Sequence, residues 1–258
     1  KMNFLTKKEQ KVSNDFIKKG YLINKAENNE SLNYILKVFD KTINKILKKK
    51  IKDLNYLHKY ISVDDLNEFR MELYHKVNED KNVRFHYFRI AGNSLFTIAG
   101  NELMMQNKLN ISIQFPNDST SLLPIHSDAW QGNSPYEATL WVPLVNCYKT
   151  KSMFIMNGKY RYNFFKDKNF FLNNSGDIYK ILKNKLKWLK INKGQFLLFD
   201  HTLPHGNIVN IEKQTRISIN CRFKSVFSPY KNKKIAEYFS PISLRAMTDI
   251  GNKFESPF

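Results

Sequence analysis

The sequence predicts a mainly β protein with a helical N-terminal third: an antiparallel β-sandwich or jelly roll with helices packed outside it. Three observations lead there. Apolar residues recur at helical spacing between Leu32 and Leu47, the period drops to two from about Leu109, and the later strands are short and separated by turns. The 258 residues suffice for one well-buried core and are read as a single unit. It comprises a helical part about 1–108, a strand core about 109–226 and a tail 227–258.

The elements follow in order. Leu32, Ile35, Leu36, Phe39, Ile43, Ile46 and Leu47 form one apolar helical stripe, and Lys48-Lys49-Lys50 supplies cations suited to a helix C-terminus. A second helix is predicted from Ser62, whose hydroxyl can cap free amides, with Asp64 and Asp65 in its first turn. It would bury Leu66, Phe69, Leu73 and Val77. A third, less regular helical stretch is expected from Ser94 to Met105. Beyond it Ile111, Ile113 and Phe115 alternate with Ser112 and Gln114 along a strand. Ala138 to Val145 is strand-like, though Pro143 requires an edge position or a bulge. Gln195 to Phe199 follows a turn-forming Gly194, and Thr215 to Phe223 is a third clear strand. Residues 157–193, rich in Lys, Asn and aromatic residues, read as an insertion between strands in the position of a lid.

Composition narrows the function classes. The apolar and charged fractions, 42% and 25%, are those of an ordinary globular protein, and no apolar run approaches the ~20 residues needed to cross a bilayer. The N-terminal residues Met2-Asn-Phe-Leu-Thr-Lys-Lys-Glu-Gln lack the apolar core of a secretory signal. With only Cys147 and Cys221, no disulfide scaffold is expected and a reducing cytoplasm fits best. The net charge of +19 raises the question of nucleic acid, but 35 Lys against 7 Arg, with abundant Asn and Ile, reads as compositional drift and a solvated lysine surface. A nucleic-acid partner is therefore not expected. The positive field favours a small anionic substrate, and the sequence leaves a homo-oligomer open.

The chemistry lies in a few residues. His126 and Asp128, two apart on an extended segment, can converge on one ion. A third donor must come from His201 or His205. Histidines four apart could share a helical face, but Pro204 between them opposes a helix. His205 opens His-Gly-Asn, where Gly206 leaves space near a metal, so His205 is chosen and His201 is read as a supporting or surface residue. Two histidines and a carboxylate hold a non-haem Fe(II) with coordination positions left open for O2. His58, His75 and His86 have no partner at metal spacing and are read as structural or solvated.

Arg216, Ser218, Asn220 and Arg222 share one face of their strand, with Ile217, Ile219 and Cys221 on the other. A polar inward face is costly for two arginines unless each meets an anion. The planar guanidinium of Arg216, with the Ser218 hydroxyl, matches the distal carboxylate of 2-oxoglutarate. Gln114 and Trp141 are placed beside this cosubstrate. Arg222, Asn220, Ser112 and Thr139 are assigned to the substrate, Arg222 either binding a substrate anion or serving as a structural ion pair or an end-of-strand surface residue.

These residues lie in stretches that resemble the Fe(II)/2-oxoglutarate-dependent dioxygenases, in their phytanoyl-CoA-dioxygenase-like branch. Within it the chain is similar to bacterial oxygenases of carbohydrate and aminoglycoside clusters, streptomycin clusters among them. The carrying stretches are Asn110 to Pro116, Leu123 to Glu137, Leu140 to Val145, Thr150 to Met153, Leu198 to Asn207 and Arg216 to Ser218, within about 90–225. The resemblance implies a double-stranded β-helix, the jelly roll expected above. It also implies Fe(II) on His126, Asp128 and His205, with Arg216 and Ser218 gripping 2-oxoglutarate. The reaction implied is oxidative decarboxylation to succinate and CO2, coupled to oxidation of a substrate such as a sugar or nucleotide-sugar derivative. Asp128 argues against halogenation, since related halogenases lack this carboxylate. Hydroxylation, desaturation, ring closure and epimerisation share these residues and stay open. The competing readings are a cupin-like metal-dependent sugar isomerase or epimerase, a sugar-binding jelly roll without activity, and, last, a nucleic-acid-directed oxygenase.

Overall fold

Helix-forming stretches begin where the capping chemistry lies. In the computed structural model, which describes residues 4–161, 175–229 and 237–255, helix α1 (Lys7–Lys19) starts at Thr6. The Thr6 hydroxyl accepts the Glu9 amide while Glu9 reaches back to the Thr6 backbone, a capping box. Gly20, at φ 75°, ends α1 in the left-handed conformation. Helix α2 (Asn29–Leu47) is capped by Asn28 and buries Leu32, Ile35, Phe39 and Ile43, the stripe read from periodicity. Helix α3 (Leu66–Asn78) buries Leu66, Phe69, Leu73 and Val77 as expected, but it starts later than Ser62. The Ser62 hydroxyl accepts the Asp65 amide in a turn that precedes the helix. Helices α4 (Val83–Arg89) and α5 (Gly92–Ala99) follow.

The helix expected over Ser94 to Met105 is corrected. Gly100, at φ 108°, stops α5, and Leu103–Gln106 is strand β2, fully buried and paired with a later strand. A buried run of three apolar residues, Leu103 to Met105, carries no period that separates helix from strand; its sheet neighbour decides. The N-terminal part also holds β1 (Tyr21–Lys25).

The remaining strands are β3 (Asn110–Gln114), β4 (Ala138–Pro143), β5 (Phe154–Met156), β6 (Leu186–Trp188), β7 (Gln195–Asp200), β8 (His205–Gly206), β9 (Arg216–Ser225) and β10 (Phe239–Pro241). They form two antiparallel sheets: β1-β7-β4-β9-β2-β10, with β3 also on β9, and β6-β5-β8. Ten-residue β9 makes this possible, its first half pairing with β3 and its last with β2. Pro143 sits at the end of a central strand, past the last β7 pair at Trp141, where its missing N–H breaks no rung. Of 157–193, only part is described. It contains helix α6 (Ser175–Leu182) and β6, which pack on β5, while 162–174 lie outside the described residues. The tail contributes β10 and helix α7 (Ala246–Asn252).

Strand alternation divides the large sheet into two faces. Ile217, Ile219, Cys221 and Phe223 of β9, with Leu140 and Val142 of β4, join the apolar faces of α2, α3, α4 and α5 in one core. The buried Tyr87 hydroxyl donates to the Leu140 carbonyl at 2.7 Å and so fastens α4 to the sheet. The opposite face packs Trp141, Leu197 and Phe199 against Met153 and Ile155 beside and on β5. Between the two sheets a cavity of about 490 Å³ remains. No described helix is long and apolar enough to cross a membrane.

Candidate metal centre and its cavity

Backbone pairing brings His126 to His205. The His126 amide donates to the His205 carbonyl at 2.9 Å and the His205 amide returns the bond at 2.8 Å. The two imidazole rings stand 4.4 Å apart, centre to centre, in the cavity wall. Gly206, which also lines the cavity, makes this pairing possible. A Cβ there would lie 2.7 Å from the Leu123 carbonyl and 3.0 Å from the Ile125 amide, so the glycine admits the backbone of the segment that carries His126. Asp128 follows in a turn held by the Ser127 hydroxyl and the Ala129 amide, both donating to the His201 carbonyl at 2.7 and 2.9 Å.

The ring nitrogens are oriented by carbonyls. His126 Nδ1 lies 2.8 Å from the Pro124 carbonyl and His205 Nδ1 2.9 Å from that of Leu203. A carbonyl only accepts, so each Nδ1 carries the proton and each Nε2 keeps its lone pair. Burial, with His126 next in effect, pushes the His205 imidazole down to about 4, so it is neutral at pH 7. Burial alone would raise the Asp128 carboxyl. His205, His201 and Arg222 outweigh it and hold Asp128 well below the usual carboxylate range.

His205 Nε2 and Asp128 Oδ2 are 3.9 Å apart. Two donors at ~2.0–2.2 Å from one ion cannot be separated by more than roughly 4 Å, so the spacing is at its outer end. Among the described residues no group of three or more His, Cys, Asp or Glu stands close enough together to hold a metal ion as the side chains are placed. Asp128 leans on Arg222, whose Nη2 donates to Oδ1 at 2.7 Å. What the chain offers is an open set of two imidazoles and one carboxylate, suited by donor chemistry to a divalent transition ion.

Distance to Asp128 does not choose between the histidines, because His201 Nε2 is 3.8 Å from Oδ2. Surroundings do. His201 is completely buried, outside the cavity wall, with Nε2 2.8 Å from the Thr139 hydroxyl and Nδ1 3.4 Å from Glu137. It supports Asp128 from behind, and the surface alternative for it is discarded.

Arg216 is 3% exposed. Its Nη2 donates to the Ser112 hydroxyl at 3.1 Å and its Nη1 makes a long contact of 3.4 Å to the Ser152 carbonyl. Its Nε and the hydroxyls of Ser218 and Ser152 have no hydrogen-bond partner, and no carboxylate pairs with it among the described residues. Burial pushes this guanidinium down to about 10. The nearby Cys147 thiol, itself pushed up to about 12 by burial, is neutral at pH 7 and supplies no counter-charge. A buried, uncompensated cation beside orphan donors is a receptor for an anion.

Of the other residues singled out from sequence, Ser112, Thr139, Trp141, Asn220 and Arg222 line the same cavity. Gln114 and Ser218 do not. Gln114 is fully buried and donates to the Ile208 carbonyl at 2.7 Å. Arg222 lines the cavity and donates to both Asp128 and the Tyr238 hydroxyl, so the ion pair of the sequence reading is present. Sequence reasoning missed Arg70 of α3 in the wall. Its signal was positional: four residues after Leu66 and three before Leu73, it lies on the buried stripe.

No family model matches the chain, and no curated protein matches it. Solved structures do. EctD from S. alaskensis, in its apoform, is 11% identical over 89% of this chain and 81% of its own, with a TM-score of 0.56. The non-heme monooxygenase ThoJ, apo, is 12% identical over 88% and 82%, at 0.54. The non-heme alpha ketoglutarate dependent epimerase SnoN from nogalamycin biosynthesis is 14% identical over 86% and 85%, at 0.51. At such identities the likeness establishes architecture: the chain shares the fold of these structures.

Proposed function

We propose that the protein is an Fe(II)- and 2-oxoglutarate-dependent oxygenase acting on a small polar metabolite of the sugar or nucleotide-sugar class. One observation carries it: the cavity that receives two imidazole Nε2 atoms and the Asp128 carboxylate also receives a buried guanidinium without a counter-ion. The shared fold supports the reading, since a SnoN structure holds Fe3+ and alpha ketoglutarate and a ThoJ structure holds Ni. The two antiparallel sheets are read as the double-stranded β-helix of such enzymes.

In this reading His126, Asp128 and His205 hold the metal, Arg216 holds the far carboxylate of 2-oxoglutarate, Ser218 stands two residues along β9 and outside the cavity wall, and Trp141 walls the site. The bound metal supplies dioxygen activation coupled to decarboxylation of the 2-oxo acid. The protein's work is positional. Carbonyls of Pro124 and Leu203 fix the imidazole tautomers, His201 and Arg222 hold the Asp128 carboxylate charged, and buried Trp141 and Phe199 help keep water from the reacting atoms.

Anaerobic addition of 2-oxoglutarate to the Fe(II) protein should give a visible charge-transfer band. Succinate formation should need Fe(II) and vanish in Asp128→Ala. Metal binding with no effect of 2-oxoglutarate on the spectrum would refute the assignment and favour a metal-dependent isomerase.

A further inference from the structure

The arginines of this chain are unevenly placed. Only 7 of its 42 basic residues are Arg, yet Arg70, Arg216 and Arg222 all line this cavity, and among the described residues no Lys does. Their situations differ. Arg216 is buried and awaits the cosubstrate in the reading above. Arg222 is used up by Asp128 and Tyr238. Arg70 is half-buried on α3, and its Nη2 donates to the neutral Asn67 side chain at 2.6 Å. No carboxylate pairs with Arg70 among the described residues.

The charge balance of the loaded site follows from these pairings. A divalent ion and a dianionic cosubstrate cancel each other. Three guanidinium groups then face the single carboxylate of Asp128, and the cavity keeps a surplus of two positive charges. In a concave, partly dry site such a surplus favours an anion over a neutral or cationic molecule of the same shape. Asn110 and Asn220, whose side chains bond to each other at 3.1 Å, add amide donors in the same wall.

Resting on the oxygenase reading, we propose that Arg70 is the substrate anchor: it takes a carboxylate or phosphate group of the substrate, selecting an anionic small molecule. The anchor sits on helix α3, whereas the candidate metal residues come from the 126–128 turn and β8, so it approaches the substrate from a different wall element. Arg70 is a specificity residue rather than a metal or cosubstrate contact.

The test uses the full-length protein loaded with Zn(II) and 2-oxoglutarate. Its 7 arginines give a simple side-chain Nε–H spectrum, and Arg70→Gln identifies one signal by deletion. Inorganic phosphate and acetate are titrated separately, with glycerol as the neutral control. The Arg70 signal should move saturably with one or both anions and ignore glycerol, the better anion distinguishing phosphate from carboxylate. Arg70→Gln should weaken binding of that anion by about tenfold or more, the worth of one charge-assisted contact, and leave 2-oxoglutarate affinity unchanged. An Arg70 signal unmoved by both anions, or equal anion binding in Arg70→Gln, would overturn the anchor. An Arg216 signal that ignores 2-oxoglutarate would instead overturn the oxygenase reading, and Arg70 would still be judged by its own signal under phosphate.

Discussion

Replacing Arg216 by Met should make the unliganded protein more stable while removing its response to 2-oxoglutarate. Burial lowers this guanidinium from 12.5 to about 10, so holding the charge in the folded state costs about 3 kcal/mol at ~1.4 kcal/mol per unit. The sign is unambiguous. The unfolded chain binds the proton more tightly, so the full cost is present at every pH below about 10 and fades only as pH rises toward 12.5. Against it stand the hydrogen bond to Ser112 and the long contact to the Ser152 carbonyl, together about 1–2 kcal/mol because they are partly exchanged for water. The net gain for Arg216→Met is therefore about 1–2 kcal/mol, or roughly 2–8 °C in Tm for a chain of this length. The wild type, by contrast, should gain about 2.7 kcal/mol from 2-oxoglutarate at ~100 times its Kd, and the variant nothing. Differential scanning fluorimetry with and without 2-oxoglutarate reads both effects. A variant destabilised by about 2 kcal/mol, or one that keeps the ligand shift, would refute the view of Arg216 as an unpaired cation waiting for an anion.

Other expectations follow from the same geometry. Arg222→Met removes the partner of a carboxylate that is only 7% exposed and should cost about 3 kcal/mol, the low end for a broken buried pair because Arg222 itself is 19% exposed; an unchanged denaturation midpoint would show the pair to be incidental. His205→Ala should abolish Co(II) binding read by its visible bands. His201→Ala should only weaken it by about 10–100-fold, as for loss of an orienting neighbour, and equal losses would put His201 among the ligands. The metal-free protein should lose stability in acid through His205. Its folded value of about 4 lies below the ordinary 6.5, so the stability it contributes is present above pH 6.5 and is lost progressively as pH falls toward 4, by about 2 kcal/mol at pH 5. His205→Asn should flatten that part of the stability profile, and an unaltered profile would count against the burial of a neutral imidazole.

Much of this site was legible in residue order, and the legible part has a common cause. The alternation of side chains along a strand is a property of the backbone itself, so Arg216, Asn220 and Arg222 could be put on one face and Ile217, Ile219 and Cys221 on the other before any fold was known. The helical stripe of α2 was readable for the same reason. Leu103–Gln106 was not, because a short apolar run acquires its conformation from the β9 strand it pairs with. Gly206 could be singled out as a place of close approach, but not what approaches it.

The sequence by itself determined which side chains are on offer: two histidines and an aspartate as candidate donors, an arginine-bearing strand, and a charge balance rich in cations. Only the tertiary structure decided how these groups are used. It turned Nδ1 of His126 and His205 onto backbone carbonyls, put His201 behind Asp128, gave Arg222 to that carboxylate and brought Arg70 to the cavity from a distant helix. The division is physical. Periodicity and donor type are properties of residues and their chain neighbours. The partner of a buried charge is chosen by segments far apart in the chain, where the cost of leaving a polar group unpaired selects the packing.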